Sequence, residues 1–258
     1  MGENGRRRIK TADRVFEIIN FIQSEEGATL TEIAANLGLS KSTVHEYVYT
    51  LLDHGYLVRD EATYHVGLQF LEHGFSARER YQVLQYVEQP LEFLAERTGE
   101  AVWIMVEEHN QVVYLENSLG QNAVQTHARI GSREYMHCTA GGKAILSTWS
   151  EERLDEMIAS HGLPAYTDNT ITDREALLQE LNETRDRKYA INNEETTIGE
   201  KAIAAPIRRD DAEYAQVAIV IAGPARRIDR KLLDEDIGDI LLDETEEIEL
   251  RVNWDLVD

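Results

Sequence analysis

The sequence predicts an α+β protein of two domains, an N-terminal winged helix-turn-helix domain and a C-terminal domain built on an antiparallel sheet. Two short amphipathic helices around a Gly-Leu-Ser turn, followed by a β-hairpin, indicate the first domain. In the rest of the chain, β-prone runs come first and last with helical runs between them, which indicates the second. The 258 residues are enough for two ordinary domains. We expect the boundary near residues 70–75.

Four residues are expected to begin and end the two helices of the helix-turn-helix. Thr31 is a suitable N-cap for the first helix, and Gly38 should end it because glycine adopts the left-handed C′ conformation cheaply. Ser40 should cap the second helix, whose apolar residues recur at spacings of three and four, and Gly55 should end it. The pattern is typical of a DNA-reading helix-turn-helix. A helical hairpin used only for packing is the alternative.

The elements around this motif complete the first domain. Two short β-prone runs, Tyr56–Val58 and Tyr64–Val66, are joined by the polar segment 59–63 and predict the wing of a winged helix. A helix near Ala12–Gln23 should pack under the helix-turn-helix. Leu68–Glu79 is expected to form a linker helix, with Leu68, Phe70 and Leu71 in a dimer interface.

The exposed side of the second helix carries the candidate base-reading residues, since the first turns of a recognition helix supply the base contacts. The basic N-terminal arm is expected to touch phosphates or a minor groove, or to be a solvated tail. The predicted DNA-contacting residues are Arg6, Arg7, Arg8, Thr31, Lys41, Ser42, Thr43, His45, Glu46, Tyr49, Arg59 and Tyr64.

The charge is unusual for a DNA-binding protein, which is normally basic. The chain has 48 acidic and 26 basic residues, and residues 1–75 alone have 11 and 7. An acidic, lysine-poor composition resembles that of proteins from salt-loving archaea, where concentrated KCl screens the self-repulsion. The same screening removes most of the counterion-release contribution to DNA binding. An ordinary acidic bacterial protein is the alternative.

Other classes of protein are disfavoured by what the sequence lacks. It has no run of 18 apolar residues and no apolar N-terminal signal segment, so we expect a cytoplasmic protein with no membrane partner. The single cysteine, Cys138, excludes an internal disulfide. It follows His137, but adjacent residues seldom form a catalytic pair. The histidines have no metal-ligand spacing, so we expect no metal, no cofactor and no enzymatic activity.

The second domain is expected to alternate between strands and helices. Tyr81–Arg97 should be helical, with Pro90 beginning a new helix or kinking the first. Arg129–His137 is expected to be an irregular loop, and the acidic run Asp243–Glu249 is of low complexity. The predicted strands are Ala101–Glu107, Gln111–Glu116, Ala123–Ala128, Tyr189–Asn192, Ala202–Arg209 and Ala215–Ile221. The predicted helices are Gly141–Trp149, Glu151–Ser160, Asp173–Lys188 and Asp229–Leu242.

Several stretches in this order resemble the IclR family of transcription regulators. They are Leu39-Ser-Lys-Ser-Thr-Val-His45, Thr98-Gly-Glu-Ala-Val102, the segment from Gly131-Ser132 to His137-Cys-Thr-Ala-Gly-Gly-Lys-Ala-Ile-Leu146, Tyr189-Ala-Ile-Asn-Asn-Glu-Glu195, Ala202-Ile-Ala-Ala-Pro-Ile207 and Ala222-Gly-Pro224. The resemblance implies a DNA-binding domain over 8–70, a linker helix region over 71–90 and a GAF-like effector-binding domain over 80–252. It also implies dimers or dimers of dimers that bind double-stranded DNA, for which we expect a palindromic operator. The genes that such regulators control serve small carbon compounds.

The resemblance also implies a pocket for a small-molecule effector. The predicted lining comprises Arg129, Arg133, Cys138, Thr139, Ala140, Gly141, Asn192, Asn193, Ala202, Val220 and Ala222, with His127 as a further polar group. Family members typically place an acidic residue, a cysteine and serines where this chain has Asn192 or Asn193, Ala202, and Val220 with Ala222. With these polar anchors replaced, we expect a larger or less polar ligand than glyoxylate-like acids, or none.

Two points stay open at the level of the sequence. The start of the helix after Thr139 could bind an anion through its free N–H groups, or Gly141 and Gly142 could serve helix–sheet packing. The protein could be an effector-gated regulator or a regulator with a vestigial pocket. A small-molecule enzyme or carrier tethered to nucleic acid is the alternative from another class.

Overall fold

The computed structural model of the chain describes residues 9–124, 128–234 and 237–254. It divides into two units, one up to Arg80 and one from Tyr81 onward. The predicted residues Arg6, Arg7, Arg8 and His127 lie outside the described residues. Within the described part of the chain, no helix combines the length and apolar composition that crossing a membrane requires.

The first unit is a winged helix-turn-helix, as the sequence predicts. Its three strands form an antiparallel sheet in the order β1-β3-β2. Its elements are α1 (Lys10–Ser24), β1 (Ala28–Thr29), α2 (Leu30–Leu37), α3 (Lys41–Asp53), β2 (Leu57–Asp60), β3 (Thr63–Val66) and α4 (Gln69–Arg78). The two helices α2 and α3 flank the turn, and β2 and β3 form the wing.

Local capping explains the boundaries of α2 and α3. Gly38 ends α2 with φ 62°, and the Ser40 side chain accepts a hydrogen bond from the Thr43 N–H, both as predicted. The prediction of Thr31 as the first N-cap is wrong. Thr29 caps α2 in a capping box with Glu32, because Thr29 is already held in extended conformation by strand pairing with Thr63.

The wing is longer and its turn tighter than the sequence suggests. The predicted strands end at Val58 and begin again at Tyr64, whereas β2 and β3 pair from Leu57 opposite Val66 to Asp60 opposite Thr63. Glu61 reaches the left-handed region with φ 51°, which closes the turn in two residues.

The second unit contains a six-stranded antiparallel sheet in the order β6-β5-β4-β9-β8-β7. Its strands are β4 (Ala101–Glu108), β5 (Gln111–Leu119), β6 (Arg133–Tyr135), β7 (Ala190–Asn193), β8 (Glu200–Ile207) and β9 (Val217–Pro224). Its helices are α5 (Glu88–Thr98), α6 (Ala140–Leu146), α7 (Glu151–His161), α8 (Arg174–Arg187), α9 (Ala225–Asp234) and α10 (Ile237–Trp254), with single 3-10 turns at Gln82–Gln85 and Met136–Cys138.

Alternation along the strands divides the core of this unit into two layers. One face of the sheet, including Val102 and Ile104, packs against α5, α9 and α10. The opposite face, including Trp103 and Met105, packs against α6, α7 and α8. Because successive side chains of a strand point to opposite faces, the nearly continuous apolar run of β4 serves both layers.

Three predictions for the second unit need correction, and the alternative that the sequence left open at Pro90 is resolved. Pro90 lies in the first turn of α5, where its missing N–H costs nothing, so it begins a helix and does not kink one. Arg129–His137 contains β6 and is not only a loop. Residues 123, 124 and 128 of the predicted strand Ala123–Ala128 are not in a strand, and 125–127 lie outside the described residues. The predicted helix Asp229–Leu242 is instead α9 followed by α10.

Candidate nucleic-acid interface and ligand cavity

The face of α3 away from the core is polar and open to solvent. Val44, Val48 and Leu51 are buried, which fixes the orientation of the helix. Lys41, Ser42, His45, Glu46 and Tyr49 are all exposed. The His45 and Tyr49 rings lie with their centroids 6.4 Å apart in a stacked arrangement. The exposed face of α3 therefore carries one cation, one carboxylate and several hydrogen-bonding groups.

The first turn of α3 is tied together by hydroxyl groups. The Ser40 Oγ lies 2.8 Å from both Ser42 Oγ and Thr43 Oγ1. Thr43 is half-buried, and both its hydroxyl and its N–H are hydrogen-bonded to Ser40 Oγ. Of the predicted α3 residues, it is the one least open to a partner. DNA contact by each of these residues remains a prediction.

The predicted wing and α2 residues lie in different settings. Arg59 is exposed, its Nε donates to the Glu61 carbonyl at 2.6 Å, and its guanidinium lies 5.7 Å from the Tyr64 ring. Tyr64 itself is only 6% exposed and packs in the core, which disfavours the DNA contact predicted for it. Thr31 is exposed on α2. The tip of the wing carries the exposed residues Asp60 and Glu61, whose negative charges would repel DNA phosphates.

The second unit contains a cavity of about 300 Å³ on the α6 side of the sheet. A row of cross-strand partners, Asn192, Ala202, Ala222 and Ala101, runs along it through β7, β8, β9 and β4. Three of the four partners are alanines, whose short side chains leave space between the sheet and the elements packed over it. The cavity therefore exists because the side chains of this row are small, and the sheet beneath it is unbroken.

Of the predicted effector residues, Thr139, Ala140, Asn192, Ala202, Val220 and Ala222 lie in the lining of this cavity. Four others lie outside its described lining, and their predicted placement is wrong: Arg133, Cys138, Gly141 and Asn193. Arg133 pairs with Glu108, and Asn193 is exposed. Arg129 lines a neighbouring cavity of about 330 Å³ that shares Ala101 and Trp103 with the first.

The glycine pair of α6 serves packing. A methyl group at Gly141 would lie 2.6 Å from Met105 Sδ, and one at Gly142 would lie 2.2 Å from the Met136 carbonyl oxygen. Thr139 Oγ1 accepts the Gly142 N–H at 3.1 Å. Of the two interpretations of this segment, close approach of helix and sheet is therefore supported.

Cys138 and His137 are buried in the loop before α6. Burial, helped by Glu134, raises the pKa of the Cys138 thiol to about 12, so the thiol stays protonated at neutral pH. His137 Nε2 lies 3.0 Å from the Pro164 carbonyl oxygen, and burial lowers the pKa of His137. These features support structural roles for both residues.

The polar groups of the cavity that sequence reasoning missed come from β5, β6 and the start of β8. They are Tyr114, Glu134 and Glu200, with Thr196 and Thr197 beside them. The Tyr114 hydroxyl donates to Glu134 Oε2 at 3.2 Å. Alternation on β5 could have identified Tyr114, whereas Glu134 could not be placed without the pairing of β6 with β5.

Asn192 is one of the two positions where the resemblance implies an acidic residue that binds the effector. Both polar atoms of its side chain already make hydrogen bonds within the protein. Its Oδ1 accepts the Glu195 N–H at 2.8 Å, and its Nδ2 donates to Thr196 Oγ1 at 3.0 Å. The amide therefore holds the segment after β7 in place. Any ligand bond to Asn192 would share these atoms.

Comparison with known proteins agrees with both units. The IclR helix-turn-helix domain model matches residues 11–61, and the "Bacterial transcriptional regulator IclR C-terminal" model matches residues 75–249. The HTH-type transcriptional regulator BhcR of Paracoccus denitrificans is 34% identical over 85% of this chain and 79% of its own length. The "Probable HTH-type transcriptional regulator ArcR" of Halobacterium salinarum is 29% identical over 95% of each chain.

A solved structure shares the whole architecture. An IclR homolog from Microbacterium hydrocarbonoxydans, crystallised in complex with 4-hydroxybenzoate, superposes with a TM-score of 0.75 at 25% identity, covering 93% of this chain and 97% of that one. The domain models together span both units of the chain. The chain therefore belongs to the IclR family of transcriptional regulators, with a DNA-binding helix-turn-helix and a C-terminal effector-binding domain.

Proposed function

We propose that the protein is a homodimer, or a dimer of dimers, that places α3 of each copy in successive major grooves of a palindromic operator. A ligand in the C-terminal cavity changes its affinity for this DNA, and the controlled genes serve the metabolism of small carbon compounds. The observation that carries the DNA part is the exposed polar face of α3, from Lys41 to Tyr49, on a helix whose other side is fixed in the core.

Exposed apolar residues on α4 support the dimer. Leu68, Leu71 and Phe75 follow one another at spacings of three and four, so they share one face of the helix region, and Leu71 and Phe75 are 53% and 51% exposed. A second copy of the chain would cover them. Phe70, predicted for this interface, instead packs against the Tyr56 ring of its own unit, with centroids 5.0 Å apart.

The cavity supports a gated regulator over one with a vestigial pocket. Thr139 and Ala140 line one side of it, and the small residues Ala101, Ala202 and Ala222 of the sheet line another, which leaves about 300 Å³ for a ligand. The related homolog holds 4-hydroxybenzoate. The apolar row of Ala202, Ala222 and Ala101 favours a ligand with an apolar body over a glyoxylate-like acid.

The acidic composition supports a cytoplasm rich in KCl. The net charge is −22, and the relative from Halobacterium salinarum aligns with almost the whole chain. At about 1 M salt the Debye length is only about 3 Å, so such a charge costs little folding free energy. We therefore propose that the protein acts in the cytoplasm of a salt-loving archaeon.

A gel-shift assay in concentrated KCl tests the DNA part. The full chain is titrated against DNA from upstream of its own gene, with unrelated DNA of equal length as competitor. Lys41→Gln should weaken binding to all sequences and lower the salt slope by about 1, as loss of one phosphate contact does.

Arg226→Gln is the charge-matched control, since Arg226 is exposed on α9 in the other unit. It should leave the gel shift unchanged. Equal binding of specific and unrelated DNA would contradict the proposed function.

A further inference from the structure

Two carboxylates are among the groups that line the cavity. Glu134 and Glu200 both line it, and the lining residues that the structure describes include no Lys, Arg or His. We propose that the cavity takes a small protonated amine, with its ammonium group beside Glu134 and Glu200 and its apolar body against Trp103 and Met105. This assignment rests on the proposed function of the cavity as the effector site.

The position of Glu134 suits it to accept a ligand donor. It lies on β6 and is half-buried, and the Tyr114 hydroxyl holds its Oε2 at 3.2 Å. A carboxylate has about four lone-pair positions, so one tyrosine bond leaves capacity for an ammonium group. Hydrogen bonds between charged partners are about twice as strong as neutral ones.

Burial and the neighbouring carboxylates shift the pKa values of two groups that line the cavity. Burial raises the pKa of Glu134, and the nearby Glu200 raises it further. Burial also raises the pKa of Tyr114, with Glu134 and Glu200 adding to the effect. An anionic ligand would add a third negative charge to a half-buried site, whereas a cation would relieve the repulsion already there.

The aromatic lining favours the same ligand class independently of the carboxylates. The Trp103 and Tyr114 rings lie edge to face with centroids 5.1 Å apart, and both residues line the cavity. The face of an indole or phenol ring attracts ammonium groups. Arg129 lines the neighbouring cavity and is not among the described lining residues of this one.

Matched probes of different charge test the proposal on the unaltered protein. Benzylamine, benzyl alcohol and benzoate have nearly the same shape and differ in charge, and butylamine, butanol and butanoate form a second, aliphatic set. Binding is measured by calorimetry and by tryptophan emission in KCl. Trp149→Phe with Trp254→Phe leaves Trp103, which lines the cavity, as the only tryptophan.

At least one amine should bind about ten- to hundredfold more tightly than its alcohol and acid partners, the range expected for a charged hydrogen bond. Glu134→Gln and Glu200→Gln should each remove most of this preference. Glu92→Gln, an exposed position on α5 at the opposite face of the sheet, makes the same change in net charge and should leave it intact.

Tighter binding of an acid, or no amine binding better than its partners, would overturn the proposal. Because the probe series is read on the wild-type chain, a variant that fails to fold does not affect the decision. The gel shift is measured separately, so retained operator binding with no amine preference would refute this inference and leave the regulator intact. A clear amine preference without specific DNA binding would support this inference and refute the proposed regulator.

Discussion

The ammonium nitrogen of Lys143 lies 2.5 Å from Glu195 Oε1, and the two side chains are 1% and 5% exposed. Lys143 belongs to α6, beside the cavity, and Glu195 to the segment between β7 and β8 that lines it. The Asn193 N–H also donates to Glu195 Oε1 at 3.2 Å. Burial raises the pKa of Glu195, and Lys143 opposes that shift. The pair thus connects α6 to the segment that borders the cavity.

Removing one member of this pair should destabilise the fold strongly. Lys143→Met leaves the buried Glu195 carboxylate without its cation and should lower the free energy of unfolding by about 3–5 kcal/mol. Lys143→Met combined with Glu195→Gln should recover part of that loss. Urea denaturation at constant KCl measures both.

Lys201→Met is the control, because Lys201 pairs with the half-exposed Asp229. It should cost about 1 kcal/mol or less. If Lys143→Met were no more destabilising than Lys201→Met, the buried pair would not have the structural role described.

Glu134 should make stability depend on pH. Because burial raises its pKa in the folded state, the folded protein binds this proton more tightly than the unfolded chain does. Its favourable contribution is complete below the ordinary value of 4.5 and is lost as pH rises through the raised pKa. At neutral pH, Glu134→Gln should therefore be more stable than the wild type.

Paired urea titrations of the wild type and Glu134→Gln, from acid to neutral pH, measure this effect. The advantage of the variant should shrink as pH falls toward 4.5. An advantage that is constant over the whole range would show that charge burial at Glu134 is not its cause.

The sequence predicts the first unit well because its signals are local. Gly38 and Ser40 end and begin helices through bonds within four residues. The failure at Thr31 has a long-range cause, the pairing of Ala28 with Tyr64, which starts the helix early. That pairing also buries Tyr64, which looked like an exposed wing residue.

The cavity could be predicted only in part, since its polar groups meet through strand pairing. The resemblance predicts Ala202 and Ala222, whereas Glu134 joins them only because β6 extends the sheet beside β5. The acidic run Asp243–Glu249 lies within helix α10, which its composition does not indicate. In α10, Leu241, Ile248 and Val252 form a buried stripe that composition alone obscures.

Glu46 should contribute to the choice of operator sequence. A carboxylate in the major groove accepts a hydrogen bond from a cytosine amine and repels phosphate. Glu46→Ala should change the preferred base at one position of each half-site, altering discrimination by about 1–3 kcal/mol. Selection from a random DNA library measures this preference.

Asp53→Ala removes the same charge from the last residue of α3. It should change affinity without changing the preferred sequence. An identical sequence profile for Glu46→Ala and wild type would show that Glu46 does not read bases.

The exposed face of α4 should hold the two copies together. Leu71→Asp with Phe75→Asp places charges where a second copy would bury apolar surface, so light scattering in concentrated KCl should report a monomer. Binding to a palindrome should weaken with it, since two half-sites about 34 Å apart would no longer be contacted by one assembly.

Phe93→Asp provides the comparison, because Phe93 is 48% exposed on α5 in the other unit. This variant should keep the oligomeric state of the wild type. A wild-type chain that is monomeric at micromolar concentration and still binds a palindrome would contradict the dimer.

Low salt should unfold the protein. Lowering KCl from about 1 M to about 0.1 M lengthens the Debye length from about 3 Å to about 10 Å. Repulsion among 48 acidic groups opposed by 26 basic ones then extends over neighbouring side chains. Circular dichroism during dialysis should show loss of helix, and returning KCl should restore it. An uncharged osmolyte at the same water activity should restore less, because only ions screen charge.

The acidic composition should also weaken the dependence of DNA affinity on KCl concentration. Acidic groups near the interface, such as Glu46, Asp60 and Glu61, can take up cations as the phosphates release them. The affinity should therefore fall less steeply with KCl than it does for a basic winged helix with a similar number of contacts. Gel shifts over a series of KCl concentrations give this slope. Complete folding in dilute buffer together with a steep negative slope would contradict adaptation to high salt.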